Sequence, residues 1–452
     1  MFEQNTKQEL TPRQKEILSL LRKGLTNAEI CRTLGISANT VKVHLANIYK
    51  ILEVTNRIEA VSTQEEPNVD IDDIKKDLII VFNKENDLTA TPKAHELYLA
   101  VVESFHQYHI FRIIDIPEKG LVPGFIISIS SSRDNEDTLF VSIRQGASNE
   151  LLWTTSIKVN DEDIILLAQK ATMLLFRSLV LATAKMRFNR NSPIPYWWYA
   201  SMYCNVKLEN RHKESFEISK KMLSPLASND YYNEQVVYIL SMAYYIAFLE
   251  NWGDRQENST VLGELARKAM FNAPYSIYSK MIMAFYNTTI GNKAEAIAYL
   301  KQTIEETPLF ITARVDLIQI YLLTGEEDKA LKLIEECERL IPETANKASV
   351  YHARSLILFL QGKYDECKNQ ANQVLLYTPN AMAVRLIMIA CCNKTGELEE
   401  SAKQIKKLYE HHPSFCKKDL EQLLKGVPPQ KKEFMLNSVQ NAFRDNTALA
   451  QK

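Results

Sequence analysis

Leu10-Thr11-Pro12-Arg13, Leu25-Thr26-Asn27-Ala28-Glu29-Ile30, Leu34-Gly35-Ile36-Ser37 and Thr40-Val41-Lys42-Val43-His44-Leu45 decide how the amino-terminal part of the chain folds. Three helix starts are written there: Thr11 with Pro12 next and Gln14 three on, Thr26 with Glu29 three on, and Ser37 ahead of an apolar-periodic run. The first two are capping boxes, in which a hydroxyl and a carboxylate or amide satisfy the N–H groups that a first turn leaves open. Gly35 supplies the backbone angles of a tight turn, and Ser37 is placed to cap the helix that follows. The pattern predicts two helices joined by a short turn.

On the third predicted helix, Val41, Leu45, Ile48 and Leu52 recur at spacings of three and four and are expected to pack on Ile17, Leu18, Leu21, Ile30 and Leu34. The opposite face carries Asn39, Lys42, Val43, Ala46, Asn47 and Lys50, a stripe left free to enter the major groove of duplex DNA. Lys42 can reach a guanine edge or a phosphate. Val43 and Ala46 are small enough to let the helix sit deep against thymine methyls, and Asn47 suits adenine. His44 flanks the core side and is read as a packing histidine rather than a base reader. A polar face by itself is as well explained as solvated surface.

The segments LTPRQKEIL, GLTNAEICRTLGIS, NTVKVHLANIYKIL and VTNRIEAV, from Leu10 to Val61, closely resemble the LuxR-type helix-turn-helix domain. The resemblance implies a four-helix unit over residues 6–63, with a turn motif from about Thr26 to Leu45 and a recognition helix beginning near Ser37. It places the DNA contacts on Thr40, Lys42, Val43, Ala46 and Asn47, with Lys50 and Arg57 on phosphates, and the dimer surface on a helix from Thr55 to Ser62 that includes Ile58 and Val61. Three positions depart from the family pattern: Ile51 stands for a usual lysine, Glu53 for glycine, and Ala46 where some members carry a base. Residues 1–63 hold nine Lys plus Arg against six Asp plus Glu, so binding by one copy is expected to be weak and strongly salt-dependent.

Length and composition frame the remainder. The 452 residues suggest about three domains, 46% apolar residues suffice for packed cores, and a net charge of −1 gives no overall polyelectrolyte character. The seven cysteines are odd in number and form no CxxC pair, which suits a reducing compartment. The first residues lack a basic-then-apolar leader, and the longest apolar stretch, Val236 to Leu249, runs 14 residues with Ser241 inside it. A cytoplasmic protein without membrane spans is expected. The acidic, proline-containing residues 64–76 read as a linker.

Residues 77–186 switch to strand chemistry: Leu78 to Phe82, a helix Lys93 to His109, then Phe111 to Ile114, Gly124 to Ser131, Thr138 to Arg144 and Leu151 to Lys158, and a long helix Asp161 to Lys185. Short polar turns at Asp134 to Asp137 and Gly146 to Asn149 mark antiparallel hairpins in a small α+β domain. Its order, and Asn149-Glu150-Leu151-Leu152-Trp153-Thr154-Thr155 above all, is similar to the TolB-amino-terminal-like domain, although Val81-Phe82-Asn83 replaces the usual Pro-Phe of the opening strand. The resemblance implies a structural or signal-relaying module.

Beyond it, Gly291, Gly325, Gly362 and Gly396 are each followed 17 residues later by a proline, and from Pro274 onward those prolines are spaced 34, 34, 37 and 34. That is the tetratricopeptide period. Residues 193–415 resemble a degenerate tetratricopeptide array, an α-α superhelical solenoid: Tyr321, Gly325, Ala330 and Pro342 fill the expected roles, whereas Lys280, Ala284, Arg314 and Ile318 stand where an aromatic and a glycine are usual. Tyr196 to Pro225 and Tyr231 to Pro274 read as two earlier helix pairs, and residues 416–445 as capping helices. Such arrays usually bind a protein or peptide on their concave face. Tyr196-Trp197-Trp198-Tyr199 and Tyr244-Tyr245 are assigned to the core rather than to a binding stripe.

The chain carries no GxxxxGK[ST], HExxH or GxSxG, and no histidine and cysteine grouping with metal spacing; His411-His412 reads as surface. No catalytic residue, metal or cofactor is assigned. The fold expected is multidomain and mainly α. The function expected is that of a bacterial DNA-binding transcriptional regulator, homodimeric on a two-fold-related site, with a protein partner or signal on the array. Its rivals are a non-catalytic scaffold whose helix-turn-helix contacts protein, and an enzyme with a pocket in the α+β domain.

Overall fold

The computed structural model describes residues 11–22, 25–51, 76–84, 92–106, 108, 110–114, 120–131, 138–158, 163–189, 192–229, 231–341, 347–413, 415–424 and 427–450. The chain divides into two compact units, Met1–Val69 and Asp70–Lys452.

In the first unit, helices α1 (Pro12–Arg22), α2 (Asn27–Leu34) and α3 (Ala38–Ile51) enclose Ile17, Leu18, Leu21, Ile30, Val41, Leu45 and Ile48, all buried. Leu34 joins them at the edge, so the expected partners meet. The expected fourth helix with Arg57, Ile58 and Val61, the contact through Leu52, and all of the linker but Lys76 lie outside the described residues.

The second unit opens on a five-stranded sheet of order β2-β1-β3-β4-β5, with β1 at Leu78–Lys84, β2 at Phe111–Ile114, β3 at Phe125–Ser131, β4 at Thr138–Gln145 and β5 at Leu151–Lys158. β1 runs parallel to both β2 and β3, while β3, β4 and β5 are antiparallel neighbours, as the hairpin turns require. Helix α4 (Pro92–His106) packs on α5 (Ile164–Lys185). Among the described residues α5 alone is long and apolar enough to cross a membrane, yet Leu167, Leu175 and Leu179 are buried in the fold.

Six helix pairs follow: α6 (Tyr196–Glu209) with α7 (Lys213–Ala227), α8 (Glu234–Leu249) with α9 (Arg255–Asn272), α10 (Ile277–Thr289) with α11 (Lys293–Glu306), α12 (Ile311–Thr324) with α13 (Glu327–Leu340), α14 (Ala348–Leu360) with α15 (Tyr364–Tyr377), and α16 (Met382–Lys394) with α17 (Leu398–His411). The turn inside each of the last five pairs holds a glycine at φ between +73° and +82°, where a side chain would strain the backbone. Ala296, Ala330, Cys367 and Ser401 lie 12 residues before the repeat prolines and are fully buried, so the small-residue position extends to two residues that are not alanine. Cys367 Sγ donates to the Ser355 carbonyl at 3.1 Å and Ser401 Oγ to the Ile389 carbonyl at 3.3 Å, which satisfies both polar atoms. Pro225 differs from the other repeat prolines: it sits inside the last turn of α7, which runs on to Ala227.

The degenerate positions have a physical account. Lys280, Arg314 and Arg385 each lie six residues after a repeat proline and are buried. Arg314 Nη1 donates to the Pro308 carbonyl and Arg385 Nη2 to the Pro379 carbonyl, while Lys280 pairs with Glu306. The two arginines thus tie one repeat's closing turn to the next repeat's first helix, while Lys280 ties the two helices of its own pair together. Arg385 also donates to Gln404 Oε1 at 2.7 Å. Arg385→Ala is expected to cost about 2–4 kcal/mol in urea unfolding, because it strands the Gln404 acceptor and opens a cavity.

Tyr196, Trp197, Trp198, Tyr199, Tyr244 and Tyr245 are buried, as expected of core aromatics. Five cysteines are buried, Cys31 is half-buried and Cys416 exposed, all as free thiols. His411 and His412 are half-buried rather than surface residues: His412 Nε2 meets the Asn380 carbonyl at 2.9 Å, and the His411 ring lies 6.3 Å from that of His212. With Asn380 Nδ2 donating to the Asn210 carbonyl at 3.0 Å, these contacts join the first helix pair to the fifth and sixth. The array closes on itself.

The terminal helices α18 (Lys417–Leu423) and α19 (Pro429–Ala450) do more than cover an end. α19 packs on α16 and α17, yet Lys431 pairs with Glu327 of α13, and Asn251 Nδ2 donates to Asp419 Oδ1 at 3.0 Å. They turn back along the inside of the array.

Candidate nucleic-acid interface

The three helix starts are capped as the residues dictate. Thr11 N donates to Gln14 Oε1 at 2.8 Å, and Gln14 N to Thr11 Oγ1 at 3.3 Å. Thr26 and Glu29 reciprocate, at 2.7 Å to Glu29 Oε2 and 3.4 Å back to Thr26 Oγ1. Thr40 N donates to Ser37 Oγ at 3.1 Å. Gly35 adopts φ +64°, closing α2 and turning the chain into α3.

One positioning residue is not evident from the motif. Arg13 pairs with Glu16 at 2.6 Å and donates through Nη2 to the Leu34 carbonyl at 2.9 Å. It satisfies a carbonyl that the end of α2 leaves open and pins α1 against the turn. No local pattern marks it, since its acceptor is a main-chain atom 21 residues away.

The cap of α2 also sets a pH response. Glu29 accepts the Thr26 backbone N–H and hydroxyl, and with Arg32 nearby its carboxyl is held below the usual range. A lowered folded-state value means the stabilisation is present above pH about 4.5, the unfolded value, and is lost as pH falls through the lower folded one. A side-chain NMR titration of Glu29 is expected to show a midpoint below 4.5, returning toward it in Thr26→Val.

Along α3, Asn39, Thr40, Lys42, Val43, Ala46, Asn47 and Lys50 are all exposed, opposite the buried Val41, Leu45 and Ile48. Val43 is 54% exposed and so is available for contact. Lys42 and Lys50 enter no salt bridge among the described residues. Thr40 Oγ1 lies 2.8 Å from Ser37 Oγ, so its hydroxyl already serves the cap. His44 is half-buried at the margin of the core. The arrangement offers a narrow convex ridge with cations, amides and small apolar groups and no acidic side chain on the stripe, which suits the polyanionic, donor- and acceptor-lined major groove.

Residues 8–63 match the family described as GerE: Bacterial regulatory proteins, luxR family. Over 53 residues the chain is 58% identical to the CsgBAC operon transcriptional regulatory protein of Escherichia coli (strain K12) and to the Probable csgAB operon transcriptional regulatory protein of Salmonella typhimurium, covering 12% of this chain and 24% of each relative. Over 52 residues it is 44% identical to the Nitrate/nitrite response regulator protein NarL of Escherichia coli (strain K12), covering 12% and 24%. The amino-terminal segment is a LuxR-type helix-turn-helix domain, the DNA-binding class of transcription regulators. The chain spans about a quarter of the length of these curated relatives. One solved structure, titled Crystal structure of APC/C hetero-tetramer Cut9-Hcn1, aligns with 65% of this chain and 55% of its own at 12% identity and a TM-score of 0.43, too distant to bear on function.

Proposed function

We propose that this protein is a DNA-binding transcriptional regulator that acts as a homodimer, inserting α3 into the major groove at each half of a two-fold-related site. The observation that carries the reading is the uninterrupted exposed stripe of α3, which a closed core on the opposite face leaves with no role in packing. Lys42 and Asn47 read base edges, Val43 and Ala46 contact thymine methyls, and Asn39, Thr40, Lys50 and Arg57 position the helix on phosphates. Ile58 and Val61 form the dimer contact. The sheet relays, and the helical array receives, a signal or a partner protein, without catalysis of its own.

The test is a salt-dependent titration of the full chain with pooled genomic duplexes, followed by sequencing of the retained fragments. Enrichment of an inverted repeat, with affinity that falls as salt rises, supports the reading. Absence of duplex binding at low salt removes it.

A further inference from the structure

The closed array surrounds a cavity of about 960 Å³, within the size range of small-molecule sites. Its walls are largely apolar: Leu249, Ile290, Leu322, Leu356, Leu386 and Ile387 come from five of the helix pairs, and Leu420, Leu424 and Met435 from the returning terminal segment. Its lining side chains include four cations, Arg211, Arg255, Lys293 and Lys431, against one carboxylate, Glu250. Lys431 is matched by Glu327, and Arg255 lies over the Phe248 ring at 3.9 Å.

Arg211 stands apart from the others. It occupies the turn of the first helix pair two residues before the second helix begins, the place held by Gly253, Gly291, Gly325, Gly362 and Gly396 in the later pairs. Like them it is left-handed, at φ +53°, which costs a side-chain-bearing residue about 1–2 kcal/mol where glycine fits freely. Asn251 in the second pair is also left-handed, at φ +58°, but asparagine tolerates that conformation; an arginine kept in it, with its side chain reaching the cavity, points to a use for that side chain. The guanidinium carries five donors, and its contact with Glu250 Oε1, at 3.5 Å, lies at the far limit of a hydrogen bond. Its positive charge also acts on the buried Asp316 and His352, and Asp316 Oδ2 has no hydrogen-bond partner among the described residues.

We propose that this cavity is a receptor site for a small amphiphilic carboxylate whose head is held by Arg211 and whose apolar body lies along the aliphatic walls. A planar guanidinium matches a carboxylate in a two-point contact. The site requires no displacement of the terminal helices, since they form part of its wall. It stands on the array alone and deepens the signal-receiving role proposed above.

The experiment is calorimetric titration of the full chain with oleate, oleyl alcohol and oleylamine below their aggregation limits. Oleate is expected to bind saturably with one site per chain, at least tenfold tighter than the alcohol, and the amine not at all. Arg211→Gly restores the residue that the other turns use, so it is expected to keep the wild-type circular dichroism and cooperative unfolding while weakening oleate at least tenfold. Ala383→Trp, which fills the cavity from α16, is expected to remove binding. Absence of saturable oleate binding, equal binding of the amine, or wild-type affinity in either variant with its fold intact overturns the proposal. Duplex titration of the same protein without any carboxylate reports separately on the DNA-binding reading.

Discussion

A Lys42→Glu chain is expected to bind duplex DNA at least 100-fold more weakly than the wild type at about 100 mM salt. Loss of one good base-edge or phosphate contact costs about 1–3 kcal/mol. A carboxylate in its place, about 6 Å from the nearest phosphate, adds repulsion of roughly 0.7–3 kcal/mol between the aqueous and protein-surface limits of the dielectric. Together these exceed the 2.7 kcal/mol that a 100-fold change represents over most of their range. The fold has no reason to change, because Lys42 is exposed and enters no salt bridge among the described residues. Lys42→Ala isolates the contact from the repulsion, and the slope of log affinity against log salt is expected to shrink by about 0.9 if the ammonium sits on a phosphate. Fluorescence anisotropy on an enriched duplex checks both. An affinity within threefold of wild type for Lys42→Glu would remove α3 from the interface.

What the amino acids disclosed follows the range of the interactions. Thr11, Thr26 and Ser37 act on N–H groups three residues away, so capping chemistry locates the three helix starts, and Gly35 locates the turn. Strand-favouring residues bounded by polar turns likewise place β2 and β5 at Phe111–Ile114 and Leu151–Lys158. The parallel pairing of β1 between β2 and β3 had no local signature, because its register joins Leu78 to Phe111 and Ile80 to Phe125 across long stretches of chain. The repeat period is plain from glycine and proline, yet in the sequence Arg314 reads as decay of the pattern and Arg385 carries no signal. Their acceptors are carbonyls of the preceding turn, and only the stacked helices reveal that a hydrogen bond has replaced a packed ring. Arg211 carries no mark in the sequence for the converse reason: the glycine period begins only at later pairs, and its left-handed backbone is visible only in three dimensions. The closure of the array through Asn210, Asn380 and His412 depends on superhelical pitch, which no residue spacing states.

Trp198→Ala is expected to destabilise the second unit by about 3–5 kcal/mol, the range for deleting a buried aromatic side chain. Trp198 is fully buried and joins three parts of the fold. Its ring meets Phe111 of β2 at 5.3 Å and Phe176 of α5 at 6.3 Å, while the residue itself belongs to α6, the first helix of the array. Its Nε1–H donates to Thr183 Oγ1 at 3.0 Å, and that hydroxyl in turn donates to the Leu179 carbonyl at 2.8 Å. Trp198→Phe keeps most of the ring contact and removes the donor, but Thr183 retains its bond to Leu179, so its loss is expected to be nearer 1–2 kcal/mol. The two variants therefore separate packing from hydrogen bonding at one position. If this ring is what makes the sheet and the array unfold together, urea denaturation of Trp198→Ala followed by circular dichroism will split into two transitions where the wild type shows one. A single transition at the wild-type midpoint would mean that other contacts, such as the Trp197 Nε1–H bond to the Lys76 carbonyl at 2.9 Å, carry the junction without it.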